Sequence, residues 1–279
     1  MKNIILMALV FSFVHFVSAQ NNNFVKEIWK TEQKLQTPES VLYYPTDNIL
    51  FVSNIAGNPT DKDNKGFISK VDLQGNILDL KWVEGISAPK GMAINKGKLY
   101  VSNIDELVEI DIAKAKISKR YKAPGATFLN DVAVNRYGTV FVSDMGKNTI
   151  WYLHGNKFEI WLASDDLKKP NGLYAEQNHL LIGNKDYILK VHYKSKQVAY
   201  YIKNTGSIDG LVPTGTGAYL ISDWVGNVYK VEAGKEKLKI FSSGDKNINV
   251  ADIEYIQAKN MLLIPTFFDN RVAAYKLLK

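Results

Sequence analysis

Six positions share one local setting along the chain: Glu39, Lys90, Asn130, Asn171, Asp209 and Ala251. They stand in Pro38-Glu39-Ser40, Pro89-Lys90-Gly91, Leu129-Asn130-Asp131, Pro170-Asn171-Gly172, Ile208-Asp209-Gly210 and Val250-Ala251-Asp252, at successive spacings of 51, 40, 41, 38 and 42 residues. Glu39, Asn130, Asn171 and Asp209 supply two carboxylates and two amide carbonyls, hard oxygen donors carrying a net charge of −2. That set suits Ca²⁺, which takes six to eight oxygens at about 2.3–2.6 Å and leaves room for water or a substrate. A softer metal would want His or Cys, and none of the six is either. The competing reading is that polar residues cap strand starts by bonding turn amides. That accounts for one or two Asn or Asp, and less well for a Glu, two Asn and an Asp at one equivalent position.

Residues so far apart can meet only if a repeat returns each of them to a common axis. The sequence contains that repeat. Its clearest member is a short apolar run with a polar end: Ile49–Asn54, Lys98–Asn103, Thr139–Asp144, His179–Asn184, Ala218–Asp223 and Met261–Thr266. Each follows a turn rich in Gly, Asn or Asp, such as Asn135-Arg136-Tyr137-Gly138, and each precedes a further strand such as Phe67–Asp72 or Glu106–Asp111. Short strands, four to a unit, with a period near 40 predict an all-β fold, a six-bladed β-propeller. Runs apolar at every position fit strands buried on both faces between neighbouring blades. The stretch Asn23–Leu35 precedes the first unit and is expected to supply the outer strand that closes the ring with the last blade. The Gly-His…Trp-Asp signature of a seven-bladed WD-repeat propeller is absent.

In these motifs the sequence resembles the senescence-marker-protein/gluconolactonase (regucalcin-like) family, whose wider relatives include diisopropyl fluorophosphatase and paraoxonase. The resemblance covers nearly all of the chain after residue 19 and rests on Glu39 in Thr-Pro-Glu-Ser, Asn130-Asp131, Asn171-Gly172 and Asp209-Gly210. It implies a divalent cation, usually Ca²⁺, in the central tunnel. It also implies hydrolysis of a small lactone or ester, with the metal polarising the carbonyl. On that reading Glu39, Asn171 and Asp209 hold the cation, and Asn130 completes its shell or touches substrate. Asp209 or Asp131 activates water. Two features depart from the family. Lys90 places an ammonium at the second axial position, where it competes with Ca²⁺, binds an anionic substrate such as an aldonate, or turns out of the channel mouth. His154, His179 and His192 all lie away from the axial positions, so the histidine dyad of paraoxonase-like lactonases is not expected. A propeller that binds a ligand or a protein without catalysis, with a structural metal or none, is the alternative.

Composition narrows the rest. The 279 residues are 46% hydrophobic and 23% charged, with 19 Gly and 8 Pro, a globular balance that excludes collagen-like and disordered classes. No Cys is present, which removes disulfides, thiol nucleophiles and Cys-ligated metals together. Residues 1–19 read as a signal peptide: Lys2, an apolar stretch from Ile4 to Val17, then Val17-Ser18-Ala19 as the cleavage site. The chain is therefore expected to comprise that peptide and a single propeller domain over 20–279, periplasmic or secreted, monomeric, and without a membrane span once cleaved. Export argues against nucleic acid as a partner despite a formal charge of +7; a small molecule, such as a sugar lactone, is the expected ligand. No GxxxxGK[ST], GxSxG or HExxH motif supports a nucleotide, serine-hydrolase or zinc-protease reading.

Three further stretches have plain readings. Asn54, Asn103, Asp144, Asn184 and Asp223 are read as turn caps. Residues 57–66 only loosely echo a calcium loop through Asp61, Asp63, Gly66 and Asp72, and are read as a loop over the channel mouth. Lys114, Lys116, Lys119, Arg120 and Lys122 are read as a solvated edge that discourages strand pairing. Trp224 and Phe267-Phe268 are candidate pocket walls or interblade packing.

Overall fold

A computed structural model describes residues 24–244 and 248–278. The segment 1–19, read from the sequence as a signal peptide, lies outside the described residues. Six four-stranded antiparallel sheets form the blades of a propeller. In blade one the strands run Pro38–Tyr44, Ile49–Asn54, Gly66–Asp72 and Ile77–Ile86, from axis to rim, and blades two to five repeat that order. Blade six is composite: Glu254–Ile256, Met261–Pro265 and Val272–Leu277 are completed on the outside by Val25–Lys30 from the other end of the chain. The closing strand predicted before the first repeat is in place.

The second strand of each blade shows why its sequence is apolar throughout. Alternate side chains point to opposite faces of a strand, and here both faces meet another blade. In blade one Leu50 and Val52 pack toward blade six, while Ile49 and Phe51 pack toward blade two. In blade five Tyr219 and Ile221 pack toward blade four, and Leu220 toward blade six. The core is thus six wedges, one between each pair of blades. Outer strands have one wet side, and their sequences change accordingly. Lys116–Lys122 is mostly exposed, with Arg120 and Lys122 paired to Glu106, as expected for a charged edge.

Ring closure carries a specific cost if disturbed. Trp29 of the closing strand donates its indole N–H to the Leu73 carbonyl at 2.8 Å and packs into the wedge between blades six and one. Trp29→Ala removes that packing and the bond, and should destabilise the fold by about 2–3 kcal/mol, read as a lower urea midpoint. An unchanged midpoint would mean that the terminal strand contributes nothing to closure.

Candidate functional site

In blades one to three the axial residue sits at the start of the innermost strand, where a kink aims it inward; in blades four to six it lies two or three residues before that strand. Pairing with the second strand slips between Pro38 and Ser40, between Pro89 and Met92, and between Leu129 and Val132. The slips fall at Glu39, Lys90 and Asn130. A bulge re-aims the side chain of the extra residue, here onto the axis. Buried serines in the second strands hold this arrangement. Ser53, Ser143 and Ser222 accept hydrogen bonds from the backbone N–H of Ser40, Asp131 and Gly210, the residues just after the axial ones. Ser102 and Ser222 also donate to the carbonyls of Asn130 and Ala251, the axial residues of the next blade.

The polar ends of the second strands do more than cap turns. Asn54 Oδ1 accepts from Gln36 N–H, Asn103 Oδ1 from Ala88 N–H, Asp144 Oδ1 from Phe128 N–H and Asn184 Oδ1 from Lys168 N–H. Each donor lies two or three residues before an axial residue. These side chains therefore fix the interblade segment that delivers the axial side chain. Asp223 behaves as a simple turn cap, accepting from Asn227 N–H.

Five of the six axial residues, Glu39, Lys90, Asn130, Asn171 and Asp209, line one cavity of about 350 Å³ at the channel mouth. All five are buried. The sixth, Ala251, packs with Ile55, Ala88, Ile104 and Phe267. Asn171 Nδ2 donates to Asp209 Oδ1 at 2.6 Å, whereas Glu39 Oε2 is buried without a hydrogen-bond partner. Lys90 turns inward. Its ammonium donates to the carbonyls of Pro59 and Ala88, both at 3.1 Å, and lies 4.7 Å from the centre of the Phe128 ring. Pro59 belongs to the inserted loop, so that loop does reach over the mouth. Its acids do not form a calcium loop: Asp63 pairs with Lys65, and Asp72 accepts from its own hairpin amides. Among the described residues no cluster of three or more His, Asp or Glu side chains is arranged for a metal, so any cation here needs the two amides as well.

Asp131 is placed elsewhere. It lines a separate cavity at the other end of the channel, with Asp252 and Glu254. Its oxygens accept from the N–H groups of Val132 and Leu173, at 2.6 and 2.5 Å. Asp252 accepts from Ser40 Oγ at 2.6 Å. Each thus ties neighbouring blades. Between the cavities the channel is narrow. A Cβ on Gly91 would stand 2.5 Å from Asp131 Oδ1, and one on Gly172 would stand 2.6 Å from the Asp209 carbonyl.

Electrostatics here are governed by burial. Desolvation raises Glu39 well above the usual carboxylate range, Asp209 and Asp131 add to the rise, and Lys90 opposes it. Burial lifts Asp209 to about 7 against the Asn171 hydrogen bond. Burial also lifts Asp131 to about 7 despite its two amide donors. Asp252 is raised well above its ordinary value by burial and by Asp131, Glu39 and Asp209. Lys90 is lowered to about 8 by burial, with Glu39 pulling it back up.

The remaining cavity wall was only partly visible in the sequence. Ile55, Met145, Lys185, Trp224 and Phe267 each follow the polar end of a second strand and line the mouth, with Phe128 and Lys169. Trp224 and Phe267 are therefore both walls and packed rings, their centroids 4.6 Å apart. Lys169 and Lys185 were not foreseen. The available signal was that Lys185 stands where the other repeats carry an apolar residue. None of His154, His179 and His192 lines this cavity: His154 is bonded to Thr139, and His179 faces His192 across two strands of blade four.

No family model matches the sequence, and no curated protein does. Solved structures do resemble the fold. A streptogramin B lyase superposes with a TM-score of 0.67 at 10% identity, covering 91% of this chain and 98% of that one. A gluconolactonase from Xanthomonas campestris gives 0.66 at 15% identity, covering 88% and 87%. A putative gluconolactonase gives 0.65 at 14% identity, covering 91% and 92%. At such identities the likeness is one of fold, and the fold is the six-bladed β-propeller.

The raised acids have a consequence for stability. Asp131 and Asp209 keep a proton in the fold up to about pH 7 but release it near pH 4 when unfolded. Their contribution is fully present below about pH 4 and is lost as pH rises from there to about 7. Chelator-treated protein should therefore melt at progressively lower temperature from pH 5 to pH 8, and Asp131→Asn should flatten that slope. A flat wild-type profile would show that these acids are ionised in the fold.

Proposed function

We propose that the protein is an exported, divalent-cation-dependent hydrolase of a small lactone or ester, acting in the cavity at the channel mouth. The observation that carries this reading is the buried, partnerless Oε2 of Glu39 on a wall shared with Asp209, Asn130 and Asn171. A buried carboxylate oxygen left unpaired is costly, and a hard cation would satisfy it while relieving the repulsion among neighbouring acids. The donor set therefore fits Ca²⁺ or a similar divalent ion. Glu39, Asn171 and Asp209 would hold it, with Asn130 completing the shell or contacting substrate. Bound there, the ion would polarise the substrate carbonyl.

The chain's own groups supply the rest. Asp209 is oriented by Asn171 through Oδ1 and takes the proton of the attacking water. Water oxygen bonds to the acyl carbon, the ester C–O bond breaks, and the proton ends on the leaving alkoxide, giving a hydroxy acid or an acid and an alcohol. Lys90 has one N–H beyond the two given to backbone carbonyls, and it offers this to substrate. Asp131, at the far end of the channel, has both oxygens engaged by backbone amides and acts as a structural tie. Phe128, Met145, Trp224 and Phe267 exclude water from one side of the site.

Lys90 favours a second reading, a propeller that binds a ligand without turning it over. In it the fixed ammonium is an internal cation for Glu39, toward which it is electrostatically coupled. Calcium calorimetry on the mature protein separates the two. Wild type should bind Ca²⁺, and Asp209→Ala should abolish binding. No binding by wild type together with tight binding by Lys90→Ala would sink the calcium-hydrolase reading. On a panel of lactones followed by acid release, Asp209→Ala should lose at least about a hundredfold in kcat/KM. Activity that survives both chelator and Asp209→Ala would refute the mechanism.

A further inference from the structure

The mouth of the cavity has a chemical asymmetry that the hydrolase reading does not use. The residue after the polar end of the second strand is Ile55, Ile104, Met145, Lys185, Trp224 and Phe267 from blade one to blade six, and all of these but Ile104 line the cavity. Five of the six are apolar, and blade four alone carries a cation. A second lysine reaches the same wall from the segment leading into blade four. Lys169 precedes Pro170 and Asn171 and holds a left-handed backbone at φ 51°, with its N–H bound to Asn148 Oδ1 at 2.7 Å. A non-glycine residue in that region is strained, and the bond to Asn148 helps to hold it there.

Both ammonium groups are free of ion pairs among the described residues. The carboxylate nearest in sequence, Asp186, accepts from Gly206 N–H. Among the described residues the only acids on the cavity wall are Glu39 and Asp209, both buried at its floor. Trp224 stands on the neighbouring blade, half exposed, with Phe267 and Phe268 stacked edge-on against it. The mouth therefore offers cations on one side and an open aromatic surface beside them.

We propose that the substrate is amphipathic and anionic: an ester or lactone that carries a carboxylate of its own, seated on Lys169 and Lys185, and an apolar or aromatic body against Trp224 and Phe267. This rests on the hydrolase reading for the reaction and on the rim alone for the preference. Two lysine ammoniums without an arginine fork hold an anion as point charges, with no fixed bidentate geometry, and a carboxylate meets that requirement. The floor is consistent with the same orientation. The reacting carbonyl goes inward to Glu39, Asn171 and Asp209, and the second acid stays at the rim, away from those carboxylates.

The test uses the matched esters 4-acetoxybenzoate and phenyl acetate, with D-glucaro-1,4-lactone as an anion lacking an apolar body. Binding is read by calorimetry and turnover by product release. Wild type should prefer 4-acetoxybenzoate over phenyl acetate by roughly tenfold in Kd, as expected of two partly exposed charge pairs. Added salt should erode that preference. The Lys169→Met/Lys185→Met double variant should reduce it to about twofold or less, and Trp224→Ala should weaken 4-acetoxybenzoate by a larger factor than glucarolactone. Equal binding of the two esters by wild type, a preference that survives the double variant, or no binding of any probe would each overturn the proposal. Selective binding of 4-acetoxybenzoate without turnover of any probe would uphold the rim and count against the hydrolase reading instead.

Discussion

Six blades meeting at one axis leave little room for water, and the chain places four acids there. Glu39, Asp131 and Asp209 are buried near the axis and Asp252 is half-buried there, with Lys90 as the ammonium among them. An ionised carboxylate in such a place is expensive unless something of opposite charge or several donors attend it. The structure handles the four differently. Asp131 and Asp252 are given hydrogen-bond donors from neighbouring blades and so become part of the ring's stitching. Asp209 is given a single amide, and Glu39 retains an oxygen with no partner. Glu39, the least satisfied of the four, shares the cavity at the mouth with Asp209, so the electrostatic demand of the fold and the proposed location of its chemistry coincide.

Positioning these groups is a property of the backbone more than of the side chains themselves. Bulges at the start of the inner strands turn Glu39, Lys90 and Asn130 toward the axis. Second-strand serines hold the backbone on one side of the axial residue, and terminal Asn or Asp side chains hold it on the other. Both sets of bonds are buried and made to backbone groups that would otherwise lack partners. A repeat that looks redundant in sequence is therefore a jig, copied around the ring, with one exchangeable residue at its tip. The interblade wedges keep the jig rigid, and the strand Val25–Lys30 keeps the ring shut without any disulfide.

The parts legible beforehand were those set by period and polarity. Leu50, Phe51 and Val52 announce a strand buried on both sides, and six such runs at a spacing near 40 announce six blades. The axial positions followed from register alone. Less legible were the inserted loop, which meets Lys90 through the Pro59 carbonyl, and the two rim lysines. A loop carries no period, so nothing local says where its carbonyls point. Asp131 shows the same limit at closer range. It is adjacent to Asn130, yet successive residues in a strand face opposite ways, and its carboxylate ends at the other cavity, bonded to blade four.

By itself the sequence determined the architecture, the closing strand and the six residues at the axis, because alternation and repeat length are one-dimensional signals that survive without coordinates. Only the tertiary structure decided what those residues feel. Whether Lys90 turned outward or inward, which acids received donors, and which oxygen stayed bare depended on backbone groups from other blades, brought near by ring closure. Charge in a confined channel is set by its neighbours in space, and those that come from other parts of the ring lie 31 to 212 residues away along the chain.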